Sequence, residues 1–200
     1  MSRAGRAAVF LDRDGVINRL VPDTAAGTHE SPYRPEDVQL LPGVKEALDR
    51  LSIAGLVVVV ASNQPAAAKG LADQDALDAV HERLVDLLGS RASAISEWRY
   101  CRHHPDAADP DLRECDCRKP KPGMLLDAAR SLGVDLDRSW MVGDADRDLA
   151  AGVAAGCRTI LIENPASDHR RSGSIEPDLR AGDVADAAST LLLAPDARAD

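Results

Sequence analysis

Residues 10–18, FLDRDGVIN, place Asp12 and Asp14 two positions apart beside an apolar run. Two carboxylates this close raise each other's pKa unless a cation neutralises them. A second acid cluster, VGDADRD at 142–148, follows another apolar run and supplies Asp144. Mg2+ takes one or two carboxylates and completes its shell with waters and substrate phosphate oxygens. Asp12 and Asp144, with a backbone carbonyl near Asp14, therefore predict a magnesium site, and magnesium is the expected counter-charge of the first acid pair. Arg13 is read as a side chain that can equally face solvent. Asp148, four residues after Asp144, is expected to cap, pair locally or steady the loop if a helix starts at 146. Taken singly, a D-x-D is a solvated turn or a helix cap, Ser62 a helix N-cap and Lys119 a surface charge.

A different chemistry is written in CRHHP at 101–105 and CDC at 115–117. Cys101, His103, Cys115 and Cys117 form a C-x-H…C-x-C arrangement with 11 residues between its halves, and His104 is the competing imidazole. Three thiolates and one imidazole make a closed, structural zinc site with no position left for water. The segment between the halves is nearly all polar and cannot order itself by burial, so an ion is needed to pin it. The last ligand runs directly into Arg118 and Lys119, whose position the ion would fix. Cys157 reads as a buried, inert thiol.

These residues need elements to carry them. AAVFL (7–11), LVVVVAS (56–62), AISEWRY (94–100), SWMVG (139–143) and TILIE (159–163) read as strands, the second so apolar that both its faces must be covered. Helical patterns fill 42–55, 72–88, 122–133, 148–156 and 183–193. Residues 163–177 have loop composition, and 195–200 read as frayed. Repeated β-α-β units predict a doubly wound parallel sheet with helices on both faces. In such sheets ligands sit at the carboxyl ends of the strands, where Asp12, Ser62 and Asp144 all fall.

At 200 residues the chain is expected to form one domain, with its core over about 7–193 and a zinc loop at 101–117. A net charge of −9 argues against a nucleic-acid partner, which is bound through excess Lys and Arg. The longest apolar run falls far short of the ~20 residues of a membrane span, and no signal peptide is evident, so a cytoplasmic protein is expected. Four cysteines are then expected free or metal-bound rather than disulfide-linked. Oligomeric state is not readable, and a monomer is plausible.

DRDGV at 12–16, SNQ at 62–64, CRKPKPGM at 117–124 and GDADRD at 143–148 resemble, in order, the motifs of the haloacid dehalogenase (HAD) superfamily of phosphohydrolases. With FLDRDGVIN and CRHHP, the chain is similar to the heptose bisphosphate 7-phosphatases and the related histidinol-phosphatase domain. The resemblance implies a Rossmann-like HAD fold and a Mg2+-dependent phosphatase acting on a small phosphorylated sugar through an aspartyl-phosphate. It makes Asp12 the nucleophile and Asp14 the general acid and base. Ser62, Asn63 and Gln64 would bind the phosphoryl group, Lys119 would neutralise it and Arg118 would hold the substrate. Asp12, Asp14 and Asp144 would bind Mg2+, and the family's zinc histidine corresponds to His103 rather than His104.

The stretches between motifs leave no room for a cap domain, so substrate contacts must come from the 19–35 and zinc loops. Arg19, Arg34, Lys69 and Arg118 are candidates for a second phosphate, as a bisphosphate would require. Ala66 stands where the family carries a glycine, which bears on the sugar edge of the site more than on phosphate chemistry. Histidinol phosphate is the competing substrate. A non-catalytic phosphate-binding module is disfavoured because all the acids and Lys119 are present, and a zinc-finger nucleic-acid binder by charge and scarce aromatics.

Overall fold

A computed structural model describes residues 5–194; the fraying expected at 195–200 lies outside them. In chain order the elements are β1 (Ala8–Leu11), the short β2 (Val21–Asp23) and β3 (Thr28–Glu30), α1 (Val44–Ile53), β4 (Val57–Asn63), α2 (Gln74–Leu88), β5 (Ile95–Cys101), α3 (Gly123–Leu132), β6 (Trp140–Gly143), α4 (Asp146–Ala155), β7 (Arg158–Ile162), β8 (Leu179–Ala181) and α5 (Val184–Leu193). Six strands make one sheet in the order β5-β4-β1-β6-β7-β8, and every pairing in it is parallel.

The apolar run of β4 shows why the sheet is covered twice. Successive side chains point to opposite faces of a strand. Val58 and Val60 join a core with Leu48 of α1, Leu84 of α2 and Ala187 of α5. Val57, Val59 and Ala61 join Met124, Leu125 and Ala128 of α3 on the other face. The expected doubly wound parallel sheet is therefore the observed fold.

Strand order positions the site. From β1 the chain moves outward through β4 to β5, then returns across the sheet to β6, so the winding reverses between β1 and β6. Such a reversal opens a crevice at the carboxyl ends of the strands. Leu11 is level with Val60 of β4 and with Val142 of β6, and the amide of Asp12 still donates to Val142 O at 2.9 Å. The residues that follow these strands thus emerge side by side.

Several details differ from the sequence reading. The 19–35 segment carries an antiparallel hairpin, β2 against β3, whose three-residue, half-buried strands VPD and THE have no apolar alternation to announce them. Residues 165–170 form a 3-10 turn, and β8 adds an edge strand. Arg170 Nη2 donates to His29 O at 2.9 Å and ties the hairpin to that turn. α4 begins at Asp146, two residues before the expected start.

Candidate active site

Lys119 is the hub of the strand tips. Its Nζ lies 3.0 Å from Asp12 Oδ1 and 2.7 Å from Asp148 Oδ1, and it donates to Ala61 O at 2.7 Å. An ammonium carries three protons, and three oxygens lie within 3.0 Å of this one. Asp12 Oδ1 also accepts from the Arg13 amide at 2.8 Å, so the carboxylate cannot turn freely. Burial works against its charge, but Lys119 and Arg147 outweigh burial and hold the Asp12 pKa below the ordinary carboxylate value. Lys119 in turn is raised: burial opposes its charge, and Asp12 and Asp148 prevail.

Asp144 has no such cation. Ser167 Oγ donates to its Oδ2, while Oδ1 is buried without a hydrogen-bond partner. Burial, with Asp12 and Asp148 nearby, pushes its pKa up to about 7. One oxygen from each of Asp12, Asp144 and Asp148 lies within 4.8 Å of the others. A carboxylate oxygen left unsatisfied beside two further acids is the donor set a hard divalent cation completes, and hard oxygen donors suit Mg2+. The approach is tight: a Cβ added to Gly15, whose φ is +98°, would lie 1.9 Å from Asp144 Oδ2. Only glycine lets the loop after β1 close over the acids.

Asp14 departs from the expected arrangement. Its carboxylate receives Arg13 Nε at 3.0 Å and Arg13 Nη2 at 2.9 and 3.1 Å. It also accepts from Asn18 Nδ2 at 2.9 Å and Gln64 Nε2 at 2.6 Å. Arg13, read as able to face solvent, is 2% exposed and lies over the Tyr100 ring at 5.5 Å. The protein itself therefore provides a counter-charge for each acid of the first pair, Lys119 for Asp12 and Arg13 for Asp14. The cation deficit sits instead at Asp144.

The SNQ residues divide their contacts. Ser62, 2% exposed, accepts from Gln64 Nε2 at 3.0 Å. Gln64 bridges Ser62, Asp14 and, through Oε1, Arg13 Nη2 at 2.8 Å. Asn63, expected on the phosphoryl group, turns its amide to the main chain of Lys119, donating to the carbonyl at 2.9 Å and accepting from the amide at 3.0 Å. Arg118 Nη1 donates to His103 O at 3.0 Å. Arg19, Arg34 and Lys69 are exposed; Arg19 borders a cleft of about 630 Å3 with Val21, His29 and Asn164.

Asp148 was read only as a local cap or brace. It does brace the loop, since its Oδ2 accepts from the Ala145 amide at 3.1 Å. It is also fully buried on Lys119, and burial together with Asp12 raises its pKa. Its spacing of four from Asp144 was the available signal. Ser167 lies in the segment read as loop, where nothing in its surroundings marked it.

The sulfur cluster forms beside this site. Cys101 Sγ is 3.7 Å from Cys115 Sγ and 3.8 Å from His103 Nδ1, and Cys117 Sγ is 3.5 Å from His103 Nδ1. A tetrahedron with bonds of about 2.3 Å to sulfur and about 2.0 Å to nitrogen has edges of roughly 3.5–3.8 Å. The four donors could hold a tetrahedral ion as they stand. Burial and the neighbouring thiols push the Cys117 thiol up, the strain of crowding thiols that a cation relieves. His104 stands outside the cluster, its Nδ1 accepting from the Asp106 amide at 3.1 Å.

Known proteins resemble this chain in sequence and fold. The family model described as "HAD-hyrolase-like" matches residues 116–187. The D-glycero-beta-D-manno-heptose-1,7-bisphosphate 7-phosphatase of Pseudomonas aeruginosa is 40% identical over 158 residues, 79% of this chain and 82% of that protein. The D-glycero-D-manno-heptose-1,7-bisphosphate 7-phosphatase of Thermosynechococcus vestitus is 38% identical over 90% of this chain and 92% of its own. Among solved structures, the D,D-heptose 1,7-bisphosphate phosphatase from B. bronchiseptica, complexed with magnesium and phosphate, superposes with a TM-score of 0.77 at 34% identity, covering 93% of this chain and 98% of that one. With the sheet order, the acid tips and these relatives in agreement, the chain belongs to the heptose-1,7-bisphosphate 7-phosphatase family of HAD hydrolases.

Proposed function

We propose that the protein is a Mg2+-dependent phosphatase that removes the 7-phosphate of D-glycero-D-manno-heptose 1,7-bisphosphate through a phosphorylated Asp12. The observation that carries the reading is the convergence at the tips of β1 and β6: Asp12, fixed 3.0 Å from Lys119 Nζ, within 4.8 Å of Asp144 and Asp148. The names of the relatives support the substrate, and the magnesium and phosphate of the Bordetella structure support the chemistry.

Asp12, kept ionised by Lys119, attacks phosphorus; its new bond to phosphorus forms as the bond to the sugar oxygen breaks. Asp14, which must take up a proton as the phosphate monoester binds, gives it to the departing oxygen, then takes one from the water that displaces the phosphoryl group from Asp12. Orthophosphate leaves and both acids return to their starting states. Ser62 and Lys119 line the phosphoryl group, Gln64 orients Asp14, and Asn63 acts through the main chain of Lys119. Arg118 holds the substrate from the edge of the zinc loop. Asp12, Asp144 and the Asp14 carbonyl would hold Mg2+, which when bound would polarise a phosphoryl oxygen and offset repulsion among the acids. Asp148 is assigned to Lys119 rather than to the ion because its Oδ1 lies 2.7 Å from Lys119 Nζ and its Oδ2 accepts from the Ala145 amide.

We further assign Cys101, His103, Cys115 and Cys117 to structural zinc, and place the enzyme in the cytoplasm, where thiols stay reduced. Phosphate release from heptose 1,7-bisphosphate, with and without Mg2+, tests the function. Activity is expected to require the metal, and Asp12→Asn to lose at least about 1,000-fold while its circular dichroism stays native. Near-native turnover by that variant would overturn the nucleophile. Preferential hydrolysis of histidinol phosphate would overturn the substrate.

A further inference from the structure

One cation of the crevice has no partner. Among the described residues, Arg13 is held by Asp14, Lys119 by Asp12 and Asp148, and Arg118 donates to His103 O. Arg147 is partly exposed in the first turn of α4, between Asp146 and Asp148. Its Nε is buried and makes no hydrogen bond. A guanidinium presents five donors in a rigid fork that fits phosphate oxygens, and a buried donor without an acceptor needs an explanation.

Its surroundings say what acceptor would fit. Asp148, the next residue, is seated on Lys119. Burial opposes the charge of Arg147, and Asp148, Asp12, Asp144 and Asp14 overcome it. Arg147 in turn acts against the charges of Lys119 and Arg118. It stands in the first turn of the helix that leaves the β6 tip, three residues after Asp144 and one before Asp148.

We propose that Arg147 binds an oxygen of the transferring phosphoryl group, opposite the carboxylates and alongside Lys119. The assignment rests on the phosphatase reading and adds to it a phosphate-binding role for a residue of the 143–148 motif to which the motif itself assigns none. Charge-assisted hydrogen bonds from a fork of this kind orient the group as well as attract it.

The test is calorimetric binding of inorganic phosphate to the Mg2+-loaded protein, comparing wild type, Arg147→Met and Arg147→Lys. Arg147→Met is expected to weaken phosphate binding at least tenfold, and Arg147→Lys about threefold, with melting temperatures close to wild type. Because every substrate shares the transferring group, Arg147→Met should lower kcat/KM by similar factors for the sugar bisphosphate and for p-nitrophenyl phosphate. Phosphate affinity within twofold of wild type overturns the proposal. So does a loss confined to the bisphosphate, which would place Arg147 on the distal phosphate. If Arg147→Met does not fold, Arg147→Lys decides, and unchanged affinity there overturns the assignment. A wild-type protein that hydrolyses neither substrate would instead sink the phosphatase reading, before any variant is made.

Discussion

Asp14 and Arg13 are neighbours in sequence and form one buried unit in space, with side-chain exposures of 4% and 2%. Removing one member of a buried, hydrogen-bonded pair leaves an uncompensated charge and costs about 3–5 kcal/mol. Arg13→Ala should therefore lower the urea midpoint by an amount worth about 3 kcal/mol, with an unchanged denaturant slope; a loss below about 1 kcal/mol would place the pair among ordinary surface ion pairs. Asp144 gives the opposite sign of dependence. Its folded-state pKa is raised to about 7, so the folded, metal-free protein binds a proton the unfolded chain has released. Stability of the metal-free protein should fall as pH rises from about 4 to 7, and Mg2+ should restore it. Thermal melts would show the Mg2+-induced rise in Tm growing across that window, and an increment independent of pH would count against Asp144 as a ligand. Asp12 and Asp144 were legible in the sequence because each follows an apolar strand. Arg13, Asp148 and Arg147 were not, since a charged residue in an acidic motif looks solvated until strand order shows which way the tip faces.

The cysteine loop, residues 101–117, joins β5 to α3. It leaves β5 at Cys101, returns at Cys117 and delivers Lys119, whose main chain is then gripped from both sides by Asn63 at the end of β4. The loop thus sets the position of the hub lysine. One zinc per chain is expected in purified protein by elemental analysis, and Cys117→Ser should lower kcat/KM by at least tenfold while the helical signal of the sheet layers persists. A metal-free preparation with full activity would remove the structural role. Gly15→Ala should be equally damaging, because its methyl would overlap Asp144; retained Mg2+ affinity in that variant would contradict the close approach. The long helices were legible from their period, although α2 starts at Gln74 behind an Asp73 cap rather than at 72. The hairpin and β8 were not, because three-residue strands at half-buried edges hold too few apolar positions to show a period.

Across the whole molecule, the core is aliphatic, as 2% aromatic content demands, and splits into two layers on either face of the sheet. Between β1 and α1 the chain adds a hairpin and a 3-10 turn. Among the described residues no helix is long and apolar enough to cross a membrane. The fold class was legible because buried parallel strands read as unbroken aliphatic runs. The sharing of Lys119 between acids 107 and 29 positions away in the chain was not, since pairing of that kind exists only after the sheet has closed. The grip of Asn63 on Lys119 has a further consequence. If a soft-donor ion at the periphery sets the lysine and a hard-donor ion at the centre sets the acids, catalysis works as a two-key lock, and a cell starved of either element would silence the enzyme while leaving its scaffold standing.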